Sequence, residues 1–143
     1  MPDNENRILN KNLFFLSSAL ARKLSAEADE AFAKYGLSTS HALILMLVQK
    51  EPGIQPSSLA EKLYLKPSTI TRLVQKLERR QLVQRNSEGR SKSIVCTSNG
   101  DETVKKIEEQ WDNLLKQKKE KLGNRYVEVL AEMISNVLAP PSD

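Results

Sequence analysis

The sequence predicts a mainly α-helical protein that carries one small β-hairpin. Apolar residues recur at steps of three or four near both ends of the 143-residue chain, and this spacing places them on one face of a helix. Proline stands at positions 56 and 67, where it suits the first turn of two shorter helices. Two short β-prone runs flank the turn-rich segment NSEGRS, which is the pattern of a hairpin.

One long helix is predicted over residues 8–35. Its apolar stripe consists of Leu9, Leu13, Leu16, Leu20, Leu24, Ala28, Ala31 and Tyr35. Gly36 is expected to end the helix in a left-handed conformation. Such a helix would be about 40 Å long, which exceeds the diameter of a small domain. An apolar stripe along most of this rod therefore requires a partner beyond the helix's own domain.

The middle of the chain is predicted to hold three shorter helices. Their expected ranges are 39–49, 56–63 and about 67–80. Ser38 or Ser40 can cap the first of them, and the Glu-Pro-Gly sequence that follows ends it. Only the short stretch Tyr-Leu-Lys separates the second from the third, so these two helices are a helix-turn-helix candidate.

The hairpin is predicted from strands at residues 82–85 and 92–96. Because it follows the helix-turn-helix candidate directly, the two together predict a winged helix-turn-helix. Thr97 is expected to cap a fifth helix over residues 98–122. A sixth helix, whose apolar residues again recur at helical spacing, is expected after Gly123.

Positive charge is concentrated in the middle of the chain. Residues 55–95 hold nine Lys and Arg against three Glu, a net charge of +6, whereas the remainder holds 13 bases and 15 acids, a net charge of −2. A basic middle between slightly acidic flanks indicates either a polyanionic partner or an ordinary solvated surface. The longest apolar run is far shorter than the roughly 20 residues that cross a bilayer, so we expect no membrane contact.

The third of the shorter helices separates its residues into two faces. Ile70, Leu73, Val74 and Leu77 form the face expected to be buried. Ser68, Arg72, Gln75 and Arg79 lie nearly opposite, with Thr69 and Lys76 on one flank. Small hydroxyl groups at the helix entrance would allow a close approach to DNA, and Arg72 could bind a guanine edge. The alternative is an ordinary amphipathic helix with a wet face.

The candidate DNA-binding residues follow from this placement. They are Ser57, Lys66, Pro67, Ser68, Thr69, Thr71, Arg72 and Lys76 in the helix-turn-helix and Arg90, Ser91 and Lys92 in the wing. Arg90, at the hairpin tip, could enter a minor groove. Ser91 and Lys92 would then lie next to phosphates.

The run SSLAEKLYLKPSTITRLVQKLERRQLVQR, followed by EGRSKSIVCTSNG, resembles the MarR family of bacterial winged-helix regulators. The matching pieces are Leu-Ala at 59–60, Ser-Thr-Ile-Thr-Arg at 68–72, the L-E-x-x-x-L-V-x-R pattern at 77–85 and T-x-x-G at 97–100. Two departures stand out. The wing tip reads Glu88-Gly89-Arg90, one basic residue short of the usual pattern, and Gln81 occupies a position that is usually glycine.

The resemblance implies a homodimer that regulates transcription from a pseudo-palindromic operator on double-stranded DNA, most often as a repressor. Residues 1–36 would be an N-terminal dimerisation helix, 37–97 the DNA-binding lobe and 98–143 the C-terminal dimerisation helices. The family often binds a small anionic or phenolic effector between the dimer base and the DNA-binding lobe. His41 could line that crevice, or it could be a helix N-terminal residue with no role. The expected location is the bacterial cytoplasm, on the nucleoid when bound.

Other chemistries find little support in the composition. One Cys and one His cannot form a structural zinc site, and neither phosphate-cradling GxxxxGK nor GxGxxG occurs. We therefore expect no enzyme activity, no cofactor and no metal. Cys96 is expected to pack in the core, since the family's thiol-sensing branch keeps its cysteine near the start of the first helix. The rival hypothesis is a winged helix that binds another protein as an adaptor.

Overall fold

The computed structural model describes residues 8–86 and 92–139 of the chain. Its helices are α1 (Leu13–Ala33), α2 (Thr39–Lys50), α3 (Pro56–Leu63), α4 (Pro67–Arg79), α5 (Ser98–Leu122) and α6 (Asn124–Leu138), and its strands are β1 (Val83–Asn86) and β2 (Ser93–Cys96). The two strands form one antiparallel sheet. The predicted fold class, mainly helical with a β-hairpin wing after a helix-turn-helix, is confirmed.

The first helix is shorter than the sequence predicted. Residues 8–10 are helical, but the chain leaves the helix at Lys11 and Asn12, and α1 begins at Leu13. The Asn12 backbone is extended, and its side-chain oxygen accepts a hydrogen bond of 2.9 Å from the Phe15 N–H. The prediction of an unbroken helix over residues 8–35 is therefore wrong, because Asn12 caps a new helix. At the other end Gly36 adopts the expected left-handed conformation, with φ of 69°.

The other predicted helix starts agree closely with the structure. Pro56 and Pro67 are the first residues of α3 and α4. Ser38, rather than Ser40, caps α2. The Thr97 hydroxyl oxygen accepts a 3.1 Å hydrogen bond from the Gly100 N–H at the start of α5. Each start thus follows from a local residue whose chemistry suits the first turn of a helix.

The described residues divide into two compact units, one that extends to Ile107 and one that begins at Glu108. In the first unit α2 packs against α1, α4 and β2, while α4 also packs against α3 and β1. The largest fully buried side chains are Phe32, Ile44, Leu45, Leu59, Ile70, Leu77, Ile94 and Ile107. Burial of one such side chain contributes about 1.5–3 kcal/mol. Ile70 and Leu77 lie on α4, so the apolar face of this helix is anchored in the core of the first unit.

The root of the hairpin is also attached to the core. Val83 pairs with Cys96 at its base, and Ile94 forms a further bridge with Ile54, which precedes α3. The Ile94 N–H donates to the Ile54 carbonyl at 3.1 Å, and the Gly53 N–H donates to the Ile94 carbonyl at 2.9 Å. A third extended segment thus fixes the wing root against the helix-turn-helix.

In the second unit none of the residues of α6 is buried in the single chain. Its exposed apolar side chains are Tyr126, Met133, Ile134, Val137 and Leu138, and Leu122 lies at the end of α5. The first unit has a comparable surface along the N-terminal half of α1, where Leu13, Phe14, Phe15 and Leu16 are exposed. Among the described residues, no helix is both long and apolar enough to cross a membrane.

Candidate nucleic-acid interface

Helix α4 has the two faces that the sequence predicted. Ile70, Val74 and Leu77 are buried and Leu73 is half-buried. On the opposite side Ser68, Thr71, Arg72, Gln75 and Arg79 are exposed, while Thr69 and Lys76 are half-buried on the flank. Most of the apolar face is covered within the chain, so the polar face is the one available to a partner.

The entrance of α4 offers backbone donors. Pro67 is its first residue, and Lys66, the N-cap, supplies no side-chain cap. The first backbone N–H that bonds back to Lys66 is that of Ile70, at 3.1 Å. Within the described ranges, the N–H groups of Ser68 and Thr69 have no acceptor. Two free N–H groups at a helix N-terminus favour an anion such as a phosphate.

Thr71 differs from the other hydroxyl residues of this face. Its Oγ1–H donates to the Pro67 carbonyl at 3.0 Å, so the proton of the hydroxyl is used inside the helix. The oxygen keeps its acceptor capacity and the methyl group stays exposed. Thr71 can therefore accept from a base or contact a thymine methyl, but it has no proton left to donate.

Two arginines of the basic segment have structural partners. The Arg85 Nε donates to Glu78 Oε1 at 2.6 Å, which connects β1 to α4. The Arg80 Nη1 donates to the Gly36 carbonyl at 3.0 Å. Arg72, by contrast, makes no hydrogen bond or salt bridge with any residue in the described ranges. The sequence placed all these cations in one basic group, whereas their pairing separates Arg72 from the other two.

The base of the wing is fixed by the T-x-x-G segment. Thr97 Oγ1 donates to the Gln81 carbonyl at 2.6 Å, and the Thr97 N–H donates to the Leu82 carbonyl at 3.1 Å. A Cβ atom added at Gly100 would lie 2.1 Å from the Leu82 oxygen, so a side chain does not fit there. Gln81 itself has φ of 59°, in the left-handed region that favours glycine.

The remaining candidate DNA-binding residues divide between described and undescribed parts of the chain. Ser57, in the first turn of α3, and Lys66 are exposed, and so is Lys92, next to β2. Arg90 and Ser91 lie outside the described residues, as does the Glu88-Gly89-Arg90 tip. The proposed minor-groove contact of Arg90 thus stays a prediction.

His41 lies inside the structure and participates in a helix cap. Its side chain is 7% exposed, and its Nδ1 accepts a 3.2 Å hydrogen bond from the Ser38 N–H. Burial lowers the pKa of His41, as do the charges of Lys76 and Arg80, against an opposing effect of Asp29. The imidazole is therefore neutral at physiological pH, and its suggested place in an effector crevice stays a prediction.

Cys96 is half-buried on β2. Its Sγ–H donates to the Leu45 carbonyl at 3.7 Å. Burial, with a smaller contribution from Asp101, raises its pKa to about 11. The thiol is therefore protonated and weakly nucleophilic at neutral pH, in agreement with a packing role. Among the described residues no cluster of His, Cys, Asp or Glu could hold a metal ion.

The part of the chain that carries this surface is similar to known transcriptional regulators. Residues 37–92, which include α2, α3, α4 and β1, match the family model described as MarR family. The chain is 29% identical over 91 residues to the HTH-type transcriptional repressor MdtR of Bacillus subtilis. That match covers 64% of this chain and 59% of MdtR, so the matched part spans about three-fifths of this curated relative.

Solved structures are similar over a larger part of the chain. CouR from Rhodococcus jostii RHA1, bound to p-coumaroyl-CoA, has a TM-score of 0.79 and 23% identity, covering 94% of this chain and 97% of that one. Staphylococcus aureus MepR, in a complex with DNA, has a TM-score of 0.76 and 18% identity, covering 96% of this chain and 98% of that one. At these identities the similarity establishes the fold.

Proposed function

We propose that the chain, whose residues 37–92 match the MarR family model, is a regulator of that family that binds double-stranded DNA sequence-specifically and regulates transcription. The observation that carries this proposal is the outer face of α4. Arg72 projects from an exposed surface with no partner in the described ranges, next to two N–H groups that lack acceptors. A guanidinium can bind the O6 and N7 atoms of guanine as a fork, and free helical N–H groups suit a phosphate.

Each proposed contact residue has a distinct role. Arg72 reads a base edge, Thr71 accepts from a base or contacts a thymine methyl, and the Ser68 and Thr69 backbone binds a phosphate. The charge of Lys76 acts on the phosphate backbone. The complete proposed surface is Ser57, Lys66, Pro67, Ser68, Thr69, Thr71, Arg72, Lys76 and Lys92, with Arg90 and Ser91 at the wing tip.

We propose that the DNA-binding form is a homodimer. In the single chain α1 exposes Phe14 at 83% and α6 exposes Val137 at 78%, along with neighbouring apolar side chains. Apolar faces of this kind are usually covered by a partner, and a second copy offers the same faces by symmetry. A two-fold dimer would present two α4 helices to half-sites about 34–36 Å apart on one side of a duplex.

We propose further that the chain is a repressor released by a small anionic or phenolic effector. MdtR is named as a repressor, and CouR was solved with p-coumaroyl-CoA. Release requires that the effector bind one spacing of the two DNA-binding lobes better than the other, because only a difference in affinity shifts the population. No enzymatic role is proposed, and the cytoplasm, where the DNA is, is the proposed location.

Selection from a random duplex pool tests the proposal directly. We expect the full chain to enrich an inverted repeat whose half-sites are about one helical turn apart. The Arg72→Ala chain should enrich a repeat with at least one degenerate position in each half-site. Recovery of no common sequence by the wild-type chain would contradict sequence-specific binding. An enriched sequence without internal symmetry would contradict the dimer instead.

A further inference from the structure

Residues 34–41, which comprise the segment that joins α1 to α2 and the first turn of α2, are here named the elbow. The hydrogen bonds of this elbow require an unprotonated histidine nitrogen. The Ser38 N–H donates to His41 Nδ1 at 3.2 Å, while the Ser38 hydroxyl oxygen accepts from the His41 N–H at 3.3 Å. The same hydroxyl lies 2.7 Å from Nδ1. A backbone N–H can only donate, so Nδ1 must be the acceptor and must carry no proton.

The elbow is attached to both neighbouring helices. Asp29 on α1 accepts from the Thr39 N–H at 2.8 Å and from the Thr39 hydroxyl at 2.6 Å. On the other side, the Gly36 carbonyl accepts from the Arg80 guanidinium, next to the last residue of α4, at 3.0 Å. One hydrogen bond thus links the elbow to Arg80, the C-cap residue of the helix that carries Arg72.

The surroundings of His41 disfavour a positive charge. The ring is buried, and Lys76 and Arg80, both from the α4 side, add two cations to its electrostatic environment. Asp29 on α1 opposes them, but its carboxylate is already bonded to Thr39. On β2, which also packs against α2, the titratable group is Cys96, and its Sγ–H is directed to the Leu45 carbonyl. A proton on His41 would thus be only partly compensated.

We propose that His41 is a proton switch that couples the elbow to α4. A proton on Nδ1 removes the acceptor of the Ser38 N–H. The new Nδ1–H also competes with the His41 N–H for the Ser38 hydroxyl oxygen, which caps the helix. The first turn of α2 then opens, and the Gly36 carbonyl no longer holds Arg80 in place. The consequence for DNA affinity rests on the function proposed above, whereas the opening of the elbow does not.

The direction of the pH effect follows from the lowered pKa of His41. As the pH falls, the unfolded chain takes up this proton before the folded chain does. The contribution of the cap to stability is therefore complete above the ordinary His pKa of 6.5 and is lost as the pH falls through the folded value. Asp29, whose pKa is lowered from 3.8, acts in a separate and more acidic window.

The His41→Gln variant isolates the switch. Glutamine at this position can accept from the Ser38 N–H, as in the usual Ser-x-x-Gln capping box, but it does not titrate. The measurement is the hydrogen-exchange protection factor of the Ser38 amide, near neutral pH and at about pH 5.5. We expect a several-fold loss of protection on acidification in the wild type and none in His41→Gln. An equal change in both chains, or no change in the wild type, would overturn the switch.

Ser38→Ala is the matched structural control. It removes the hydroxyl but keeps the backbone N–H that bonds to Nδ1. We expect a lower thermal midpoint at every pH, because a helix cap is lost, with the pH dependence of amide protection retained at residue 38. Disappearance of that pH dependence would overturn the assignment of the switch to the backbone hydrogen bond.

The coupling to DNA has its own measurement. With the duplex selected by the wild-type chain, the affinity of the wild type should fall several-fold more on acidification than that of His41→Gln. Equal losses of affinity in the two chains would overturn the coupling to DNA. The opening of the elbow would still be decided by the hydrogen-exchange data. If neither chain binds any duplex near neutral pH, the proposed function fails, and the exchange data still decide whether the elbow opens.

Discussion

Helix α4 and the terminal helices expose different kinds of side chain in the single chain: polar on α4 and apolar on α6 and the start of α1. Helix α4 buries its apolar face within its own chain and leaves Arg72 and the Ser68 and Thr69 N–H groups without partners in the described ranges. Helix α6 and the start of α1 leave apolar side chains such as Val137 and Phe14 exposed instead. The chain therefore offers two kinds of surface, one suited to a polyanion and the other to a protein.

Of the predicted changes in free energy, the largest is the loss of dimer stability in Ile134→Asp. If a second copy covers α6, the substitution buries an unpaired carboxylate at the interface, which costs several kcal/mol, on the order of 4. We expect a monomer in sedimentation equilibrium and a matching loss of operator binding. Ser135→Asp, the same charge at the neighbouring exposed position, is the control and should remain dimeric. A monomeric wild type would show that the apolar faces have another purpose.

Arg72→Ala tests the polar surface. Loss of a bidentate contact to guanine should weaken binding to the selected sequence by about 1–3 kcal/mol and relax specificity at one base pair. Lys76→Ala is the comparison variant, because loss of a phosphate contact weakens all sequences alike. Binding isotherms on the selected duplex and on a scrambled duplex distinguish the two. Equal losses on both duplexes for Arg72→Ala would contradict a base-reading role.

The Glu78–Arg85 pair allows a test of whether a cation with a partner in the chain is structural rather than a DNA contact. Its side chains are 32% and 30% exposed, so solvent screening limits the coupling to about 1 kcal/mol. A double-mutant cycle with Glu78→Gln and Arg85→Gln, followed by chemical denaturation, should give this coupling energy. We expect the specificity of DNA binding to stay unchanged in these variants, in contrast to Arg72→Ala. A change in the preferred base would place Arg85 at the DNA.

Gln81→Gly should change the free energy of unfolding least of these variants, and it should stabilise the chain rather than destabilise it. Gln81 has φ of 59°, and relief of the left-handed backbone strain exceeds the added entropy of the unfolded chain by about 0.5 kcal/mol. We expect a slightly higher denaturation midpoint. Gln84→Gly, at an exposed β1 position, is the control and should lower the midpoint. A destabilised Gln81→Gly chain would mean that the glutamine side chain makes a compensating contact.

The sequence was most informative where a local residue determines an element. Pro56 and Pro67 begin α3 and α4 as predicted, because proline suits the first turn of a helix. Asn12 was missed because the apolar spacing continues through it without interruption. Its side-chain cap competes with the helix, and periodicity alone does not register that competition.

The sequence was least informative about the partners of charged groups. Arg80 bonds to a carbonyl 44 residues away, and no local pattern distinguishes it from Arg72. The role of His41 has a local indication in the sequence, since Ser38-x-x-His41 has the spacing of a capping box in which imidazole Nδ1 replaces a carboxyl or amide oxygen. The spacing does not show that the ring is buried, and this burial lowers the pKa of His41.

The salt dependence of duplex binding decides whether the α4 surface binds a polyanion. If two α4 surfaces bind the phosphate backbone, the logarithm of the association constant should fall steeply with the logarithm of salt concentration, by about 0.9 for each phosphate neutralised. Lys76→Ala should reduce the slope by about two in a dimer, one for each copy. A slope near zero would contradict DNA binding and favour a winged helix that binds another protein.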